Sequence, residues 1–380
     1  MLSGETIIYF GPEPWDGLWR NRHQLMSRFA RDNDVYYVEP PTNVRDCLRP
    51  GRRNTLFTRD ATGVKVIHGP RWVPVTGRAP FKNASIRLFL FVVAVVSGTA
   101  FGRRPIAWYS RPRMIDYVGR SRTKHTVYHV VDEYGGYGHP SKTENSAPDA
   151  DELRMLRSVD TVIVVTESLF ESKSPHNPNT HIVANAVDFE AYAEKSLTPP
   201  EDMARVEAPV IGYSGLVAAR LDLAMLFEAA SARPAWSFVF VGSVNEEYCE
   251  AEMSRLRDLP NVHMLGAKRV DEVPRYVNRF DVCIVPYVLN LRARHASPLK
   301  IYEYAAASKP IVSTDFAAAR AFDGHVRIAG NAGELLAECE AALQLDASST
   351  EIAANRRIAA ENTWEHRVQQ LSTILGAETG

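Results

Sequence analysis

Residues 210–242 read VIGYSGLVAARLDLAMLFEAASARPAWSFVFVG. A short run rich in β-branched and aromatic residues, a loop with two glycines, a helix-like stretch LDLAMLFEAASAR and a second strand-like run follow one another. That order is the signature of a strand, crossover helix and parallel strand. The pattern continues downstream in the helical window EEYCEAEMSRLRD and then NVHMLG at 261, DVCIVPY at 281 and PIVSTD at 310. It is preceded by an earlier set of the same kind: TIIYF at 6, VYYVE at 35, VKVI at 64, PIAWY at 105, TVYHVV at 126 and TVIVVT at 161. Two parallel sheets with helices on both faces, hence two α/β domains, are the expectation.

Between the two sets, residues 189–208 hold Pro199 and Pro200 and show no sustained apolar period, which marks them as the interdomain linker. The expected division is 1–188, an N-terminal Rossmann-like domain; 189–208, linker; 209–350, a second Rossmann-like domain; and 351–380, a helical segment packing back across the domains. In that last segment Ile352, Ile358, Trp364, Val368, Leu371 and Leu375 fall roughly on one side. Two domains of this kind facing each other place the C-terminal ends of both sheets around a central cleft, where ligands bind in open α/β sheets.

The chain has 380 residues, 45% hydrophobic and 23% charged, enough for two ordinary cores. With 44 basic and 45 acidic residues its net charge is −1, which gives no general reason to seek nucleic acid. Cys47, Cys249, Cys283 and Cys339 lie far apart without zinc-site spacing and read as reduced thiols of a cytoplasmic protein. No basic segment leads into a long apolar stretch at the N-terminus, so no signal peptide is expected. The run LFLFVVAVVSGTA, residues 88–100, is too short to cross a bilayer. Arg78, Lys82 and Arg87 on one side of it and Arg103 and Arg104 on the other suit an anionic membrane surface. A buried helix has the same composition.

The segment ASPLKIYEYAAASKPIVSTD, residues 296–315, carries the sharpest chemistry. Ser297 and Pro298 can start a helix that stops before Lys309 and Pro310. Lys300 and Glu303 then share one face near its start, where free N–H groups and the dipole favour a pyrophosphate and Lys300 adds a full charge. Glu303 can accept ribose hydroxyls. An i, i+3 Lys–Glu pair is equally a common surface pair.

SPLKIYEYAAASKPIVST resembles the donor motif of GT-B glycosyltransferases, in particular the bacterial polysaccharide-type (group 1) enzymes marked by two glutamates eight apart. The resemblance extends over nearly the whole chain. It implies an α/β fold of GT-B architecture, two Rossmann-like doubly wound domains facing a central cleft. It implies transfer of a sugar from a UDP- or GDP-type nucleotide sugar to a hydroxyl of a saccharide or lipid-linked saccharide acceptor, without a metal or other cofactor. Glu303 matches the second glutamate. His295 stands where the family has its first, so retention or inversion stays open. Ser297, Pro298 and Leu299 lead to Lys300, which matches a lysine on the donor phosphates.

IGYSGLVAARLD at 211 resembles the glycine-bearing first loop of the donor domain, where Gly212 and Gly215 let the backbone approach phosphate and Arg220 supplies a charge. LPNVHMLGAKRVDEVPRYVNRFDVCIVPY resembles the part enclosing the base, with Gly266, Lys268 and Tyr287 at the cleft. FGPEPWDGLWRNRHQLMSRFA resembles the acceptor loop, with Trp15, Asp16, Gly17 and Trp19 holding a sugar ring; the tryptophans equally suit helix-start packing. TVYHVV ends in Asp132 and Glu133, resembling a family element with two acids after a strand. Asp132 is the candidate base for the acceptor hydroxyl, with Glu133 in reserve, though Asp132 can also cap a turn.

Asp149 and Asp151 form a D-x-D, read as helix capping because it precedes a helix and follows no strand. No G-x-G-x-x-G follows the first strand, which argues against an NAD enzyme. A nucleotide-sugar epimerase of the same fold and a non-catalytic sugar-nucleotide or membrane-binding protein remain alternatives. The implied location is the cytoplasm, at or near the inner face of the membrane.

Overall fold

The computed structural model describes residues 1–17, 19–41, 55–68, 81–133, 149–194, 198–290, 297–322, 324–346 and 348–379. The chain forms two compact units, Met1–Ala184 with Glu365–Gly380, and Asn185–Trp364. Each is built on one sheet with helices around it.

The first unit contains β1 Thr6–Phe10, β2 Asp34–Val38, β3 Phe57–Arg59, β4 Lys65–Ile67, β5 Ile106–Tyr109, β6 His125–Val130, β7 Thr161–Val164 and β8 Thr180–Ile182. Among the described residues these lie in the order β3-β4-β2-β1-β5-β6-β7-β8, all parallel but for β3 against β4. Every apolar run expected to be a strand is one. The additional strands β3 and β8 are three residues long, too short for a periodic signal, and β3 is largely exposed. β1 and β5 are adjacent, so the chain reverses its direction of winding between them. One face of the sheet packs Ile8, Phe10, Tyr109, Tyr128 and Val162 against Phe89 and Val93 of helix Phe81–Val96 and Met155 and Leu156 of helix Ala150–Ser158. Asp149 caps the latter helix, its Oδ1 accepting the Glu152 N–H at 2.8 Å, as the D-x-D reading requires.

The second unit contains β9 Val210–Ser214, β10 Ser237–Val241, β11 Val262–Gly266, β12 Val282–Val285, β13 Ile311–Ser313 and β14 Arg327–Ile328. The order among the described residues is β11-β10-β9-β12-β13-β14, with all of these neighbours parallel and the reversal between β9 and β12. Full burial of β9, β10 and β12 on both faces accounts for their uninterrupted apolar sequence. Gly212 lies within β9, and a Cβ there would stand 2.1 Å from the ring of buried Phe280. Its lack of a side chain therefore serves core packing, not the phosphate approach expected from the sequence.

Two expected boundaries differ. Residues 189–208 are part of the second unit: Tyr192 and Met203 are buried in its core, and helix Phe189–Ala193 packs there. Paired prolines interrupt regular structure without detaching the chain from the core. The C-terminal helical stretch is two helices. Thr350–Glu361 belongs to the second unit, and Trp364–Thr379 returns the chain to the first, where Glu365 meets Arg28 at 2.7 Å and Arg367 donates to the Ala184 carbonyl at 2.8 Å.

Helix Asn21–Phe29 begins with a cap built from a histidine. The Arg20 N–H donates to His23 Nδ1 at 2.9 Å, which leaves Nε2 as donor to the Trp15 carbonyl at 2.9 Å. Burial, helped by neighbouring Arg22, pushes the His23 pKa down to about 4 against opposing hydrogen bonds to the Trp15 and Arg20 backbone. His129 of β6 is also fully buried, has neither ring nitrogen hydrogen-bonded, and is pushed down to about 4 by burial alone. Both are neutral when folded, whereas in the unfolded chain they take up protons below about pH 6.5. Their contribution to stability is complete above that pH and falls as pH drops toward 4. Denaturant titration should show a loss of about 2 kcal/mol per histidine between about pH 7 and 5. In His129→Phe the slope should be reduced by about half that sum, and an unchanged slope would contradict the assignment.

Candidate functional site

In the second unit the strands that flank the reversal, β9 and β12, send their following loops to the same place. Leu221 and Tyr287 form a bridge between these loops. The Val288 N–H donates to the Arg220 carbonyl at 3.0 Å, and the Asp222 N–H to the Pro286 carbonyl at 2.8 Å. Gly215, the residue after β9, has φ +132° and its N–H donates to the Val241 carbonyl at 2.8 Å. A side chain on the neighbouring Gly242 would collide with the Gly215 carbonyl at 1.9 Å, so both glycines are required for the two strand ends to approach.

Lys300 reaches this point from helix Leu299–Ala306, which Pro298 caps with Ser297 just outside it. The Ser297 carbonyl accepts a hydrogen bond from Asn185 Nδ2 at 2.6 Å, which fixes the entry of the chain. Lys300 is buried, and its Nζ lies about where a substituent on Gly215 would go, 3.2 Å from an ideal Cβ there. The ammonium donates to the Tyr287 hydroxyl at 2.7 Å and stands 4.9 Å from the Tyr213 ring centroid and 5.2 Å from that of Tyr287. The Arg220 guanidinium lies 4.4 Å from the Tyr287 centroid on the same ring. Burial alone raises the Tyr287 pKa, yet Lys300 and Arg220 outweigh it and hold the phenol below its ordinary value. Tyr213, where burial dominates, is raised well above. Two cations thus converge on one phenol at the C-terminal end of the sheet.

Glu303, one turn beyond Lys300, is partly buried and hydrogen-bonded to Tyr192. Burial raises its carboxyl above the usual range against the pull of Lys300 and Tyr192. Lys268 is not part of this cluster. It pairs with Asp202, on the turn Glu201–Met203, at 2.7 Å and lies 5.2 Å from the Tyr276 centroid. His295 lies outside the described residues. Tyr213 and Tyr192 were not singled out by sequence; the first is hidden within a strand run, the second within a stretch that looked like linker.

In the first unit the reversal lies between β1 and β5, and the loop after β1 carries Trp15 to Trp19. Trp15 is buried, its Nε1 donating to Asp60 at 2.7 Å and its ring 4.5 Å from His23 and 4.8 Å from Tyr37. It packs the helix start, and the acceptor role expected for it is not what its contacts serve. Asp16 and Gly17 are exposed, and Trp19 is half-buried, stacked on His23 at 4.8 Å. Asp132 follows β6 and is half-buried, with Oδ1 accepting the Glu133 N–H at 3.0 Å. Glu133 is buried and ion-paired with Lys173 at 2.8 Å, so it is unsuited to the reserve role of solvent-facing base.

Residues 208–345, within the second unit, match the family model described as "Glycosyl transferases group 1". The putative teichuronic acid biosynthesis glycosyltransferase TuaH of Bacillus subtilis (strain 168) is 27% identical over 238 residues, 60% of this chain and 59% of that protein. The chain thus spans little more than half the length of this curated relative. Among solved structures, sucrose-phosphate synthase from Thermosynechococcus elongatus superposes with a TM-score of 0.73 at 14% identity over 98% of both chains. Anabaena HepE in complex with UDP and glucose gives 0.67 at 16% identity, over 98% of this chain and 100% of that one. The UDP-forming trehalose-phosphate synthase of Burkholderia vietnamiensis gives 0.69 at 12% identity, over 100% and 99%. The chain therefore has the GT-B fold over nearly its whole length and resembles the group 1 glycosyltransferases, with the family match placed on the unit that holds Gly215, Arg220, Tyr287, Lys300 and Glu303.

Proposed function

We propose that the protein transfers a sugar, of hexose type, from a UDP- or GDP-type nucleotide diphosphate sugar to a hydroxyl of a saccharide acceptor, lipid-linked acceptors included, without a metal. The observation that carries this is the convergence of Lys300 and Arg220 on Tyr287 beside the glycine-lined ends of β9 and β10. A diphosphate placed there meets two cations and the N-terminus of helix Leu299–Ala306, whose first N–H groups have no acceptor within the helix. The solved structure of HepE with UDP and glucose and the name of TuaH lend support to a sugar nucleotide as the ligand.

In the proposed reaction the acceptor oxygen forms a bond to the anomeric carbon as the bond from that carbon to phosphate breaks. Asp132 takes the acceptor proton, and the nucleoside diphosphate leaves with its added charge held by Lys300 and Arg220. Glu303 accepts from ribose after its hydrogen bond with Tyr192 is exchanged. Asp16, Gly17 and the open face of Trp19 serve the acceptor.

The assay offers UDP-glucose, UDP-N-acetylglucosamine and GDP-mannose with and without membrane extract and follows release of nucleoside diphosphate. Release should depend on the extract for at least one donor. Lys300→Ala should lower kcat/KM by about 100-fold or more, and Asp132→Asn should lower kcat similarly while binding of the diphosphate is retained. Release that never depends on acceptor, or that survives Lys300→Ala unchanged, would refute the assignment.

The proposal includes docking on the inner face of an anionic membrane. On helix Phe81–Val96, Leu88, Phe91 and Val95 form one exposed apolar stripe, continued by Phe101, which is 83% exposed. Exposed Arg87, Arg103 and Arg104 flank it. Among the described residues no helix is long and apolar enough to cross a membrane. Sedimentation with vesicles containing phosphatidylglycerol should pull down the protein, whereas phosphatidylcholine vesicles alone should not. Phe91→Asp with Phe101→Asp should abolish the difference; full binding by that variant would exclude this surface.

A further inference from the structure

Lys173, at the end of helix Glu167–Lys173, is fully buried in the first unit, and so are Glu133 and Glu152. Its Nζ donates to both carboxylate oxygens of Glu133, at 2.8 and 3.0 Å, and to Glu152 Oε2 at 3.2 Å. The Tyr128 hydroxyl donates to Glu152 Oε1 at 3.2 Å. Two carboxylates therefore share one ammonium in a core. Burial, with Lys173 opposing and Glu133 adding to it, raises the Glu152 pKa above the usual carboxyl range.

A buried ion pair is often no more stabilising than apolar residues of the same volume, so its presence calls for a reason other than stability. The residue before Glu133 supplies one. Glu133 is clamped at its side chain by Lys173, and at its backbone it donates its N–H to Asp132 Oδ1 at 3.0 Å. The peptide that orients the Asp132 carboxylate is thereby tied to a lysine in the core.

We propose that Lys173 and Glu133 are positioning residues that fix the direction of the Asp132 carboxylate through the Glu133 peptide. This rests on the reading of Asp132 as the base. Glu133 thus changes from reserve base to the group that aims the base.

The test compares two isosteric variants. Glu133→Gln leaves Lys173 balanced by Glu152, and Glu152→Gln leaves it balanced by Glu133, so each keeps one ammonium with one carboxylate. With the responding donor of the panel and membrane extract, Glu133→Gln should lower kcat by about 10-fold or more with the donor KM unchanged. Glu152→Gln should stay within about twofold of the parent, given that it leaves the link from Lys173 to Asp132 intact. Should Glu133→Gln fail to fold, as judged by thermal unfolding, Glu133→Asp keeps the charge, shortens the reach and should show the same loss in kcat. Equal kcat losses in the Glu133 and Glu152 variants, or a rise in KM in place of a fall in kcat, would show a structural role only and overturn the inference. If Asp132→Asn leaves turnover unchanged, the base itself is misassigned and the positioning role falls with it. If Asp132→Asn abolishes turnover while Glu133→Gln does not, the positioning role alone is wrong.

Discussion

A buried ammonium needs a partner, and among the described residues the group that Lys300 donates to is a phenol. Tyr287 receives its hydrogen bond, Tyr213 and Tyr287 give it their ring faces, and the Arg220 guanidinium lies 4.4 Å from the Tyr287 ring centroid. Everything around it follows from the need to bring these groups together. Gly215 has no side chain because Lys300 occupies that space, and Gly242 has none because the Gly215 carbonyl does. The reversal of winding between β9 and β12 brings the two loops side by side, and helix Leu299–Ala306 delivers the lysine from between β12 and β13. A phenol satisfies an ammonium's hydrogen bond without cancelling its charge. The cluster is therefore formed in advance and remains attractive to an anion.

The first unit meets the same problem in the opposite way. Lys173 is deeper than Lys300 and is given full carboxylates. Its charge is consumed, which makes it useful only for holding other groups in place. Between them the two lysines show how surroundings separate a binding cation from a structural one: the first donates to a phenol beside a glycine, the second to two carboxyl groups with no exposure.

Much of the fold was legible in the sequence because parallel strands buried on both faces have uninterrupted apolar runs, and every run read as a strand is one. Strands β3, β8 and β14 were not, since two or three residues carry no period. Lys300, Arg220 and Tyr287 were legible as a group through the family-like motif, but their mutual contacts were not, because residues 80 positions apart in sequence reveal nothing of a shared ring. The misread residues share a cause. Gly212, Trp15 and Glu133 each belong to a type that serves ligands or cores equally well, and only their neighbours decide: Phe280 for the glycine, Asp60 and His23 for the tryptophan, Lys173 for the glutamate. Lys173 itself gave no signal, since a lysine at a helix end normally lies in solvent.

The measurement closest to the central claim is a structure of the protein with UDP or GDP bound. The diphosphate oxygens should lie within hydrogen-bond reach of Lys300 Nζ and the Arg220 guanidinium at the end of β9, with Tyr287 retained against them. A diphosphate bound elsewhere, with Lys300 still donating to Tyr287 alone, would contradict it.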